Sequence, residues 1–230
     1  MKITYIGHSG YAVEEGDRVL VFDYYEGTLP AFPKTAKIYV FASHAHSDHF
    51  NRVIFNWAGQ YVNIRYVLSD DIEEKGPEGS CICLGPGRET DLEGMKIRTL
   101  RSTDEGVAFL VRTGKWCIYH AGDMNWWHWE EETEEYNEIM RRAFLREIGK
   151  IEGEAVDVAF LPLDPRQKEQ YAWGFDYFMR HTRTGRAFPM HMWGRYEICD
   201  RLIADPLSEP YRDRVMRVKE PGQTFEVALS

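Results

Sequence analysis

The chain has 230 residues, 43% of them hydrophobic and 14% aromatic, enough apolar material for a sizeable core, which excludes disorder and a disulfide-stapled miniprotein. Aspartate and glutamate number 37 against 28 lysines and arginines, a formal charge of −9 that repels polyanions at long range and argues against a nucleic-acid partner. No apolar run approaches the roughly 20 residues that span a bilayer, and the opening MKITYIGHSGYAVEEG turns polar too early for a signal-peptide core, so a cytoplasmic protein without a membrane partner is expected.

Short apolar runs divided by glycine and proline turns predict strands at 3–6, 11–14, 19–22, 38–42 and 66–68. A further group, a plausible meander, falls at 80–84, 95–100, 107–112 and 116–119, with turns at Pro86-Gly87, Glu93-Gly94 and Thr113-Gly114. Within it, Cys81 and Cys83 stand two apart, on one face of a strand, and read as small core residues. Four scattered cysteines, with Cys117 and Cys199, are too few for a disulfide framework and fit reduced thiols. The clearest helix starts at Thr133 as N-cap and carries Tyr136, Ile139, Met140, Ala143, Phe144 and Ile148 at helical spacing up to Gly149. Then come a buried strand at 156–161, a helix at 167–182, a strand at 186–189 and a helix at 197–204. No repeat or linker divides the chain, so residues 1–230 are expected to form one domain of two sheets covered by helices.

The chemistry concentrates in IYVFASHAHSD and the residue after it, where an apolar strand runs straight into His44, His46, Asp48 and His49. Four metal-capable side chains where a buried strand opens into a loop cannot all be satisfied by core contacts, and one or two divalent ions explain them. Imidazole and carboxylate suit zinc first, with manganese, iron or nickel compatible. Strand alternation lets His44 and His46 point the same way, and the following turn re-aims Asp48 and His49. Two later strand ends add donors: Asp123 after WCIYHAG and His191 after AFPM.

HAHSDH resembles the H-x-H-x-D-H signature of the metallo-β-lactamase superfamily, and ITYIGHSG, VFD, IYHAGD and FPMHM extend the likeness along the chain. It looks most like the branch of ascorbate-6-phosphate lactonase-like and N-acyl-phosphatidylethanolamine phospholipase-like proteins. The resemblance implies an α/β (α+β) fold, a four-layer αββα sandwich of two mixed sheets flanked by helices with metals at one edge. By the same resemblance His44 and His46 are first-metal ligands, Asp48, His49 and His191 belong to the second metal, and Asp123 bridges. The family's third first-metal histidine is missing, since no histidine occurs between His49 and His120. Asp104, in RSTDEG at 101–106, stands at the expected place, either as an oxygen ligand or in a supporting or turn role; otherwise the first site is weak, empty or completed by water.

Around the metals, Asp23 resembles a family aspartate that fixes a ligand histidine by hydrogen bonding. His8, at the first turn, and His120, three residues before Asp123, are further candidates to border the pocket or orient a ligand. Trp126, with Trp127 and Trp129, either walls the pocket or packs on a helix. Arg166 either clamps a substrate carboxylate or phosphate or pairs with Asp164 at the surface. The implied activity is a metal-dependent hydrolase of a small substrate, neutral or anionic, in which a metal-bound hydroxide attacks an ester, lactone, amide or phosphoester. Asp48 or Asp123 would hold the hydroxide's proton. The rivals are phosphodiesterase or nuclease chemistry, an iron-based redox reaction, and a non-catalytic metal-binding scaffold.

Overall fold

The computed structural model describes residues 1–74 and 76–228. In chain order the strands are β1 (Lys2–Gly7), β2 (Gly10–Glu15), β3 (Arg18–Phe22), β4 (Lys37–Ala42), β5 (Ile64–Ser69), β6 (Cys81–Leu84), β7 (Glu89–Leu92), β8 (Met95–Arg101), β9 (Val107–Thr113), β10 (Trp116–His120), β11 (Ala155–Pro162), β12 (Arg183–Met190) and β13 (Thr224–Glu226). The α-helices are α1 (Glu134–Gly149), α2 (Trp173–His181) and α3 (Glu197–Ala204). The chain divides into two compact units, Met1–Gly85 with Glu220–Ser230, and Pro86–Lys219. No helix among the described residues is long and apolar enough to cross a membrane.

The first unit is a sheet in the order β13-β1-β2-β3-β4-β5-β6. Strands β13 to β3 pair antiparallel, and β3 to β6 pair parallel. The parallel strands β4 and β5 read as nearly continuous apolar runs because both faces are covered. Val19, Val21, Ile38, Val40, Tyr66 and Leu68 form one core with Ile54 and Trp57 of the 3-10 helix Arg52–Gly59, whose start is capped by Asn51 accepting from the Val53 N–H.

The second unit is also a mixed sheet, in the order β12-β11-β10-β9-β8-β7, with β10, β11 and β12 parallel and β7 to β10 antiparallel. Helix α1 begins as its sequence predicts: Thr133 Oγ1 accepts from the Tyr136 N–H at 3.1 Å, and Glu134 and Glu135 occupy the first turn. Phe144 of α1 meets Tyr177 of α2, and Phe178 of α2 stacks on Tyr119 of β10 with ring centroids 4.6 Å apart.

Three expectations need correction. The helix expected at 167–182 is broken: a 3-10 turn, Pro165–Gln170, precedes α2, because Lys168 takes a left-handed φ of 54° while its ammonium pairs with Glu130 and Glu131. Cys83 is exposed and Cys81 half-buried, since β6 is an edge strand; only Cys117 and Cys199 are buried thiols. Strand β12 extends well before residue 186, following β11 in register from Ala155↔Arg183 to Pro162↔Met190.

Candidate metal centre

Both units place their metal-capable side chains at the carboxyl ends of parallel strands, where the chain leaves the sheet and side chains are free to converge. In the first unit Asp23 follows β3, and Ser43, His44 and His46 follow β4; in the second Asp123 follows β10, Asp164 follows β11 and His191 follows β12. The backbone is forced to serve this purpose. Of six non-glycine residues with positive φ among the described residues, Asp23 (42°), His191 (63°) and Trp193 (54°) lie in these loops, and His8 (49°) lies in the turn between β1 and β2. Each such residue costs about 1–3 kcal/mol, and strain of this kind collects where function needs a side chain aimed.

In the first unit Asp23 is fully buried and acts as a hub. Its Oδ1 accepts from the Ser43 N–H at 2.8 Å, and its Oδ2 accepts from Ser43 Oγ–H at 2.6 Å and from His49 Nδ1 at 2.7 Å. A carboxylate only accepts, so the proton of His49 must sit on Nδ1 and the lone pair on Nε2. The same logic passes through Ser43. Its single hydrogen goes to Asp23, so His44 Nδ1, 2.9 Å away, must donate to Ser43 Oγ, leaving His44 Nε2 as a ligand atom. His44 Nε2 then stands 3.1 Å from His46 Nδ1. Asp71 Oδ2 accepts from the Ala45 N–H at 2.8 Å and pins the backbone between those two histidines. On the other side of the loop, His8 Nε2 lies 3.3 Å from Asp48 Oδ2, and ligand atoms of His8, Asp48 and His49 all lie within 4.8 Å of one another. In the metal-free chain the His8 imidazole 3.3 Å away, helped by the neighbouring His49, holds the Asp48 carboxyl well below the usual carboxylate range against its partial burial.

The second unit repeats the device. Asp164, fully buried, accepts from His191 Nδ1 at 3.0 Å, which leaves His191 Nε2 as a ligand atom 3.3 Å from Asp123 Oδ1. Burial pushes the Asp164 carboxyl up, but hydrogen bonds from His191 and Arg166 outweigh it and keep the group ionised below its ordinary range. Trp127 fixes the Asp123 backbone by donating from Nε1 to its carbonyl at 2.9 Å, and its ring lies 5.7 Å from that of His191.

These donors fit a metal ion on chemical grounds. Zinc–nitrogen bonds of about 2.0–2.1 Å in a tetrahedral site put neighbouring ligand atoms about 3.3 Å apart. The three pairs, His44–His46, His8–Asp48 and Asp123–His191, are spaced at 3.1, 3.3 and 3.3 Å. His44, His49 and His191 present Nε2 because a buried carboxylate, directly or through Ser43, holds the other nitrogen's proton.

A model of the β-lactamase superfamily domain matches residues 2–140, more than half of the chain. The chain belongs to the β-lactamase superfamily. A metal-dependent hydrolase from Opitutus terrae is 28% identical over 253 residues, covering 99% of this chain and 100% of that protein. Another, from Pyrococcus furiosus, is 27% identical over 138 residues, covering 54% of this chain; the match spans 61% of that protein, less than two-thirds of its length. The solved structure of a metallo hydrolase from the hyperthermophilic archaeon Ignicoccus hospitalis superposes with a TM-score of 0.66 at 21% identity over 99% of both chains, which shows a shared fold. The two mixed sheets with flanking helices are thus those of a β-lactamase superfamily member, and the resemblance carried by HAHSDH is borne out at the level of the superfamily.

Other sequence expectations fare differently in this β-lactamase superfamily chain. Asp104 is exposed, its N–H donating to Ser102 Oγ, and it joins no group of metal-capable residues among those described. Trp126 packs against Phe144, Trp173 and Tyr177, so it belongs to the seat of the helices, and Trp127 is the indole beside His191. His120 is fully buried with Nδ1 accepting from the Gly122 N–H at 3.2 Å, shaping the turn that delivers Asp123. His8 approaches Asp48 directly, closer to the chemistry than a bordering residue. Asp164 was missed as an orienting group, since Asp-Pro-Arg reads as a surface turn; its only signal was a place after a buried strand. Ser43 and Asp71 gave no signal of their own.

Proposed function

We propose that this protein is a metal-dependent hydrolase in which His44, His46, Asp48, His49, Asp123 and His191 hold one or two divalent cations, zinc first among them, with His8 as an added donor beside Asp48. Its substrate is a small molecule with an ester, lactone, amide or phosphoester bond, and residues 1–230 make up a single domain of this kind. The observation that supports this best is the set of donor pairs at 3.1–3.3 Å whose histidines have their ligand nitrogens exposed by buried carboxylates. The names of the relatives, metal-dependent hydrolases from Opitutus terrae and Pyrococcus furiosus, agree with it. The finer likeness of HAHSDH, IYHAGD and FPMHM to lactonase-like and phospholipase-like proteins favours a lactone or phosphoester within that range.

A cation held by these donors would lower the pKa of water from 15.7 to about 7 and polarise the substrate oxygen. The chain's own residues then orient the reactants. Asp48 accepts a hydrogen bond from the attacking water and aims its lone pair. Asp123, near His191 and fixed through its carbonyl by Trp127, is the alternative carboxylate for that role. The absence of a nucleic-acid partner fits the charge of −9, and scattered cysteines fit the reduced thiols of a cytoplasmic protein.

The test is elemental analysis of protein purified without chelator, followed by an ester and phosphodiester screen with His46→Ala as control. One or two equivalents of a transition metal and metal-dependent turnover that vanishes in H46A are expected. Protein that takes up no metal even when supplied would refute the reading and leave only a scaffold without metal; metal uptake without any turnover would leave the metal-binding scaffold.

A further inference from the structure

The loops after β11 and β12 hold more than a metal ligand. Asp164 accepts from Arg166 through the backbone N–H at 2.8 Å and through Nε at 2.9 Å to Oδ2, with Nη2 on the same oxygen. That oxygen also takes the proton of His191 Nδ1 and the indole N–H of Trp193. The guanidinium is therefore gripped along one edge, and its face lies 4.5 Å from the Trp193 ring and 5.5 Å from the Trp129 ring. Trp129 in turn stacks on Trp127 at an interplanar angle of 9°. The opposite edge, Nη1 with the second hydrogen of Nη2, meets no acceptor among the described residues, while the side chain remains 47% exposed.

An arginine held in this way has lost most of its rotamer freedom before any ligand arrives, and its open edge presents two parallel N–H groups, the fork that matches a carboxylate or phosphate. Arg195 reaches Pro165, the residue that precedes Arg166 in the chain. One of its Nη2 hydrogens goes to the Pro165 carbonyl at 3.2 Å, and the rest of its guanidinium has no acceptor among the described residues. The nearby acids are already engaged: Asp164 by three partners, Glu130 and Glu131 by Lys168. With Asp164 counted against two arginines, these two loops carry a net positive charge in a chain of net charge −9.

We infer that Arg166, supported by Arg195 and framed by Trp129 and Trp193, is an anion subsite that binds a non-reacting carboxylate or phosphate group of the substrate. The inference rests on the hydrolase reading for the word substrate, but not for the site itself. Asp164 gives the subsite a built-in relation to the chemistry, because the same carboxylate oxygen positions the anion-binding arginine and the ligand histidine His191. The substrate class narrows accordingly to small molecules that carry a second anionic group near the bond to be hydrolysed.

The experiment uses the metal-loaded full chain. Intrinsic tryptophan fluorescence is titrated with succinate and, separately, with inorganic phosphate at constant ionic strength, in wild type, R166Q, R166K and R195Q, with metal content measured for each. The tighter of the two anions identifies the oxygen chemistry. In parallel, kcat/KM is compared for mono-p-nitrophenyl succinate and neutral p-nitrophenyl acetate. A saturable signal is expected, weakened about tenfold or more in R166Q, as loss of a charged hydrogen-bond pair implies, and partly kept in R166K. The preference for the anionic ester should fall by a similar factor through KM. Equal anion affinity in wild type and R166Q, or no saturable binding, overturns the subsite. Should R166Q fail to fold or to hold metal, R195Q decides: an affinity unchanged within about twofold overturns it. Arginine-dependent anion binding without ester turnover would sink the hydrolase reading alone, and metal-dependent turnover without arginine-dependent binding would sink the subsite alone.

Discussion

Asp23→Asn is the most informative single change. Asparagine has nearly the shape of aspartate and tolerates the left-handed φ of 42° about as well, so backbone strain is not altered. Its Oδ1 can still accept from the Ser43 N–H, which leaves the amide NH2 facing Ser43 Oγ and His49 Nδ1. An amide donates there where the carboxylate accepted. The proton of His49 moves to Nε2, the nitrogen needed as ligand, and Ser43 no longer has to accept from His44. Loss of such carboxylate support typically costs 10–100-fold in metal affinity, or about 1.4–2.7 kcal/mol. The metal-free fold should lose about 1–3 kcal/mol as charge-assisted bonds in a fully buried place become neutral ones. Competition against a chromophoric chelator reads the affinity, nitrogen-15 NMR of the imidazoles reads the tautomer, and urea unfolding reads the stability. If D23N binds metal as tightly as wild type, or loses stability with His49 still protonated on Nδ1, the tautomer argument is wrong.

Other outcomes follow from the same geometry. Supplying zinc to metal-free protein at about 100 times its Kd should stabilise the fold by about 2.7 kcal/mol, seen as a raised Tm that chelator reverses. Thr133→Ala removes the cap of α1 and should cost about 1 kcal/mol, read by denaturant unfolding with an unchanged m value. Gly174→Ala would bring a Cβ to 1.9 Å from Asn125 Oδ1 and 2.9 Å from the Trp126 backbone nitrogen, so α2 must shift at a cost of about 1–3 kcal/mol, checked the same way. Burial pushes the Cys117 and Cys199 thiols up to about 11 from about 9. The folded state then binds more protons than the unfolded chain between pH 9 and 11, and stability falls as pH rises through that window by up to about 2–3 kcal/mol per thiol. A pH series of urea unfolding checks the slope, and a thiol reagent at pH 8 should label Cys83 long before either buried cysteine.

What the sequence made legible was local. Apolar runs that become β4, β10 and β11 are continuous because their faces are covered, and HAHSDH announces its chemistry because its donors fall within one turn of a strand end. Thr133 reveals its helix because a cap bonds to a residue three positions on. What stayed hidden depends on partners distant in the chain. Asp164 reads as a turn acid until β12 is laid beside β11 and delivers His191 to it, 27 residues later. His8 meets Asp48 only once the sheet of the first unit has formed. Strand β13 is three residues long and exists through its pairing with β1. The break at Lys168 goes against an unbroken helical pattern, its positive φ accompanied by Nζ pairing with Glu130 and Glu131.

The left-handed residues of the metal loops carry a consequence for anyone trying to harden this protein against heat. Glycine would occupy the φ values of His8, Asp23, His191 and Trp193 at no steric cost, whereas the residues present pay for them. A screen that rewards survival of heating and ignores turnover would therefore drift toward exchanging these residues first. Thermostable variants from such a screen would be expected to arrive with a healthier backbone and a dismantled centre, so the screen has to select on metal retention as well.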